Sequence, residues 1–112
     1  MHFNELPEFS KEFKRLSKKY LSFPDDLHEF KKIIIVSPLG TGKHFNICHS
    51  GGGVKIIKAR IFCQYLKGSS RLRIIYSYII SSKTIEFIEI YFKGDKINEN
   101  REWIKEYLKR FS

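Results

Sequence analysis

Between residues 55 and 93 the chain collects basic side chains in a pattern that chemistry on a phosphodiester needs. Lys58 and Arg60 flank Ala59, and Arg71 and Arg73 flank Leu72. Tyr91 and Lys93 end the run Glu89-Ile90-Tyr91-Phe92-Lys93. Residues two apart on a strand share a face. Each run therefore presents its polar members to one side. Guanidinium groups clamp a phosphate through two parallel hydrogen bonds, and an ammonium adds a point charge. A tyrosine ring offers a stacking surface to an unpaired base. Such a set suits binding of single-stranded RNA. It also suits RNA cleavage without metal, in which a ribose 2′-hydroxyl attacks the adjacent phosphate while cations stabilise the dianionic phosphorane. A merely solvated sheet face is the third reading, and the residues alone leave all three open.

The charge distribution favours an anionic partner. The chain has 112 residues and a formal net charge of +9. No Asp or Glu occurs between Glu29 and Glu86, a stretch holding ten Lys or Arg. Mixed signs are the rule on a solvated face, so this gap points to phosphates. The length is that of one domain, 1–112, and excludes a multidomain enzyme. Hydrophobic residues at 42% supply a core and exclude general disorder. No apolar run approaches the roughly 18 residues of a membrane span, and no partner membrane is expected. No secretory signal opens the chain, so Cys48 and Cys63 are expected as free thiols in a reducing cytoplasm.

The elements that position these cations follow from periodicity. Phe9, Phe13, Leu16 and Tyr20 recur at helical spacing. Ser22, Pro24, Asp25 and Asp26 predict a second helix with a serine cap, carrying Leu27, Phe30 and Ile34 on one face. Residues 38–53 read as a glycine-rich loop. Strands are expected over 54–63, 71–80 and 84–93, joined tightly as an antiparallel meander. Phe3 is placed in a short extra edge strand. A last helix is expected over 98–111, with Trp103, Ile104, Tyr107, Leu108 and Phe111 on one face and Trp103 in the core. The class is α+β: an N-terminal helical hairpin packed on a small antiparallel meander, with a C-terminal helix. Alternation puts Ile57, Ala59 and Ile61, then Leu72, Ile74, Tyr76 and Tyr78, then Ile88, Ile90 and Phe92 toward the helices. It turns Lys58, Arg60, Arg71, Arg73, Tyr91 and Lys93 away from them.

This layout, with Lys55-Ile56-Ile57-Lys58-Ala59-Arg60, Arg71-Leu72-Arg73-Ile74-Ile75-Tyr76 and Phe87-Ile88-Glu89-Ile90-Tyr91-Phe92-Lys93, resembles the RelE/ParE superfamily of type II toxin–antitoxin toxins. The resemblance implies a toxin that cleaves mRNA in the ribosomal A site without metal or other cofactor. Lys58 and Arg73 match that branch's strand lysine and the arginine of its Arg-x-x-Tyr element. Arg60 and Lys93 fall where it also carries cations. By role, Lys58 is then the general base, Arg60 and Arg73 hold the scissile phosphate, and Lys93 stabilises charge or donates a proton. Lys55, Lys67 and Arg71 grip flanking phosphates, with Tyr91 as a further RNA contact. Glu99 stands where some members carry a tyrosine. The implied partners are a cognate antitoxin, mRNA and the ribosome, with a homodimer or a toxin–antitoxin hetero-oligomer as the assembly. The ParE branch, which poisons DNA gyrase, and an inactive RNA-binding module are the alternatives.

Other motifs carry less. Cys48-His49 lacks a second pair at zinc-ligand spacing, so no metal is expected. Gly40-Thr41-Gly42-Lys43 lacks the full phosphate-loop frame. His44 and His49 enter proton transfer only if the long loop folds over the sheet.

Overall fold

A computed structural model describes residues 1–66, 71–96 and 98–111. In chain order it contains β1 (His2–Glu5), α1 (Pro7–Lys19), α2 (Phe23–Val36), β2 (Phe45–Gly51), β3 (Val54–Ile61), β4 (Leu72–Ile79), β5 (Thr84–Phe92) and α3 (Arg101–Leu108), followed by a 3-10 turn over Lys109–Phe111. The strands form one sheet in the order β1-β5-β4-β3-β2. The class is α+β, as expected. The β3-β4-β5 meander is antiparallel, and β1 adds a parallel edge against β5.

The segment expected as a loop supplies the opposite edge. Residues 45–51 pair antiparallel with β3 as β2. Gly52 and Gly53 alone connect the two strands, with φ of +64° and +77°. Two consecutive left-handed residues make the tight hairpin whose twist matches that of its strands, and glycine adopts them without strain.

Helix α1 starts on Pro7 and ends on Lys18 and Lys19, which complement its dipole. It buries Phe9 and Leu16 against the sheet, and α2 buries Phe23, Leu27, Phe30 and Ile34. Ser22 does not cap α2. Its backbone is already helical, and its hydroxyl donates to Asp26 at 2.7 Å while accepting from the Tyr65 amide. The chain turns helically between the two helices, so the serine oxygen is free to tie α2 to the segment after β3.

A bulge corrects the facing pattern of β5. Ile75 pairs with Glu89 and Tyr76 with Phe87, leaving Ile88 as the extra residue. Ile88 therefore turns away from α1 and α2 and joins Val54, Ile56, Ile75, Tyr91 and Tyr107 in a second apolar cluster. That cluster lies under α3. Glu86 and Glu89 are buried there and anchor the C-terminal segment. Tyr107 and Arg110 donate to Glu86, and Lys96 and the Asn100 amide donate to Glu89. Asn100 in turn caps α3 by accepting from the Trp103 amide. Trp103 is 39% exposed, at the rim with Lys96 over its ring, and not in the core as expected.

Candidate nucleic-acid interface

The sheet face turned from α1 and α2 is divided. Near the β2-β3 hairpin it is apolar and covered by α3. At the other end it is cationic. Registry builds that end as rows across the strands: Lys58 faces Ile75, and Arg60 faces Arg73, which faces Tyr91. The Lys93 amide donates to the Arg71 carbonyl, extending the array by one more row. On the other side Asn46 pairs with Lys58, and the His44 carbonyl accepts from the Arg60 amide. Alternation along β2 therefore gives His44 and Asn46 to the cationic face, while Phe45 turns inward and stacks on Phe30 with ring centroids 6.0 Å apart.

The result is an open concavity of about 150 Å³ lined by Lys43, His44, Asn46, Lys58, Ala59, Arg60, Arg73 and Lys93. Lys58, Arg60, Arg73 and Lys93, selected from the sequence, thus share one hollow across three strands. Its lining includes no carboxylate. Arg73 is 9% exposed, and its guanidinium is pulled down from its usual pKa by burial and then by the charge of Arg60. Two guanidinium groups held side by side favour an anion between them.

The remaining expected contacts sort differently. Arg71 is exposed beside Lys93. Lys55 falls on the opposite alternation from Lys58 and donates to Ser50 at 2.9 Å, so it is not part of this hollow. Tyr91 shares the face but is only 4% exposed, packed in the cluster beneath α3 with Lys96 over its ring. It has no open ring face for a base. Its hydroxyl is buried without a hydrogen-bond partner and is pushed up to about 12, by burial first and then by the charges of Glu99 and Glu89, so it stays a neutral phenol. Lys67 lies outside the described residues.

Three residues join the site that the strand pattern did not supply. Lys43, His44 and Asn46 enter because β2 forms. The signal for it was the Gly52-Gly53 pair with Phe45 and Ile47 alternating ahead of it. Glu99 is the second surprise at this site: its carboxylate accepts from Lys58 Nζ at 3.2 Å, with side-chain exposures of 11% and 27%. Burial pushes the Glu99 carboxyl up. Its own backbone amide, and the hydrogen bond and charge of Lys58, outweigh this and hold it below the usual glutamate range. Among the described residues no three His, Cys, Asp or Glu side chains converge to hold a metal ion. Cys48 and Cys63 are free. No helix is long and apolar enough to cross a membrane.

No family model matches the chain, and no curated protein matches its sequence. Among solved structures it is similar to a chain of the archaeal RelE-RelB complex from Pyrococcus horikoshii OT3, with a TM-score of 0.63 and 19% identity, covering 83% of this chain and 94% of that one. At this identity the likeness speaks for the fold alone.

Proposed function

We propose that this chain is the toxin of a type II toxin–antitoxin pair and cleaves mRNA, on the ribosome and without metal, by attack of a 2′-hydroxyl on the adjacent phosphate. One observation carries this reading. On a RelE-like sheet, Lys58, Arg60, Arg73 and Lys93 meet in a single cationic hollow. Arg60 and Arg73 clamp the nonbridging phosphate oxygens and stabilise the extra negative charge of the phosphorane. Lys58 and Lys93 add charge from either side, and Arg71 engages the neighbouring phosphate.

An antitoxin fits the rest of the surface. Leu21, Ile33, Ile35, Val36 and Phe62 are exposed, and exposed apolar side chains on this scale mark a protein-covered surface. A cleft of about 460 Å³ lined by Phe30, Ile33, Phe45 and Phe62 lies among them and shares Arg60 and His44 with the cationic hollow. A partner segment that seats apolar side chains there, clear of Asp26 and Glu29, and extends acidic ones past Arg60 reaches the cations and blocks them.

Induced expression in a bacterium, with mapping of mRNA 5′ ends, tests the reading. Ribosome-dependent cuts within codons are the expected result. Double-strand DNA breaks with a damage response and intact mRNA would instead identify a gyrase poison. RNA binding without cuts would identify an inactive module.

A further inference from the structure

Cleavage by a 2′-hydroxyl needs a group to take its proton, and the contents of the hollow narrow the choice. Lys43, Lys58, Arg60, Arg73 and Lys93 are cations, and Asn46 and Ala59 have no basic atom. Lys58 is moreover engaged by the Glu99 carboxylate at 3.2 Å, in a partly buried pair. That contact assigns the Lys58 ammonium to a charge partner of its own. Glu99 is not placed by chance. The residue after it, Asn100, is fixed by its amide to Glu89 at 2.7 Å and by its cap on α3. One residue of the lining remains. His44 is exposed, its backbone is pinned by the Arg60 amide at 3.0 Å, and an imidazole offers a ring nitrogen able to accept a hydrogen.

Resting on the reading above, we infer that His44 is the general base of the cleavage, and that Glu99 positions Lys58 to face the phosphate. The atoms balance as follows. The 2′-hydroxyl proton passes to His44 as O2′ bonds to phosphorus. Lys58, Arg60 and Arg73 stabilise the phosphorane. The bond from phosphorus to O5′ breaks, and Lys93 delivers a proton to O5′. The products are a 2′,3′-cyclic phosphate and a 5′-hydroxyl. Glu99 is a positioning residue in this scheme, since it acts through Lys58. The charged groups facing His44 are its neighbour Lys43, Lys58 and Arg60 from β3, Arg73 from β4, Lys93 after β5, and Asp26 and Glu29 from α2.

The experiment is cleavage of a ribosome-bound mRNA by the purified full chain and two variants, with circular dichroism confirming each fold. Arginine cannot deprotonate in a protein, so Lys58→Arg separates a charge from a base. The expected result is that His44→Ala loses about 100-fold or more, a deeper loss than that of Lys58→Arg, which keeps the charge but alters its geometry. Added imidazole restores part of the His44→Ala rate. His44→Gln, which fills the space without a basic ring nitrogen, stays as slow as His44→Ala and gains nothing from imidazole. A Lys58→Arg loss as deep as that of His44→Ala, with His44→Ala not rescued by imidazole, overturns the inference. So does a His44→Ala variant that cuts normally, or one that is inactive and ignores imidazole. A wild-type chain that cuts no RNA overturns the functional reading as well, so the two failures are distinguishable.

Discussion

At the scale of single residues, Arg73 carries the most. It sits between Arg60 and Tyr91 in one row and is nearly buried, so its guanidinium is held where it stands. Arg73→Ala is expected to abolish growth inhibition and cleavage while leaving the circular dichroism spectrum unchanged; full toxicity in that variant would remove Arg73 from the site. Glu99 makes a second residue-scale prediction. Its carboxyl is depressed in the folded chain, so its contribution to stability is present above the ordinary glutamate range and fades as pH falls through the lowered value. The urea midpoint of Glu99→Gln should lie below wild type at neutral pH and converge with it in acid. Equal midpoints at neutral pH would show that the Lys58 pair contributes nothing. Tyr107 is the third. Its hydroxyl joins Ser77 and Glu86 in a buried group. Tyr107→Phe leaves the Glu86 carboxylate short of a donor, with Arg110 still at 3.2 Å, and should cost about 1–3 kcal/mol in denaturant unfolding.

At the scale of elements, the β2-β3 hairpin decides how much of the site exists. Its two-residue turn demands positive φ at Gly52 and Gly53. A Cβ at Gly53 meets nothing within 4 Å, so substitution there reports backbone strain alone. Gly53→Ala should lower stability by about 1 kcal/mol, read from the urea midpoint, and a larger loss would point to register slippage of β2. Within the C-terminal segment, α3 caps the apolar half of the second sheet face and brings Glu99 beside Lys58. Both duties depend on the buried acids Glu86 and Glu89 of β5. Helices α1 and α2 were legible because their apolar stripes recur over 13 and 14 residues. Strand β2 was not. It is an edge strand with mostly exposed side chains, so its residues carry little apolar alternation, and its existence depends on pairing with β3.

At the scale of the whole molecule, the chain carries a net charge of +9, and Lys43, Lys58, Arg60, Arg73 and Lys93 gather where the sheet is not covered by helices. Affinity for a short single-stranded RNA should therefore fall linearly as salt rises on logarithmic axes. For single strands the slope is about −0.7 per neutralised phosphate. Lys93→Ala should reduce the slope by about 0.7 in fluorescence titrations across salt concentrations, and an unchanged slope would place Lys93 outside the phosphate path.

Local periodicity in the chain determined the α+β class, the two N-terminal helices, the three-strand meander and, within each strand, the shared side of Lys58 with Arg60, of Arg71 with Arg73 and of Tyr91 with Lys93. Each of these depends on residues two to four apart, a spacing that backbone geometry converts directly into a face. Tertiary structure decided the rest. Strand register brought those polar sides together. Pairing of β2 delivered His44, and the bulge at Ile88 turned a residue expected against the helices toward α3. The packing of α3 buried Tyr91 and set Glu99 on Lys58. These outcomes join segments as far apart as 41 residues, and strand register and helix docking at that separation are settled by burial and hydrogen bonding across the fold, not by any spacing along the chain.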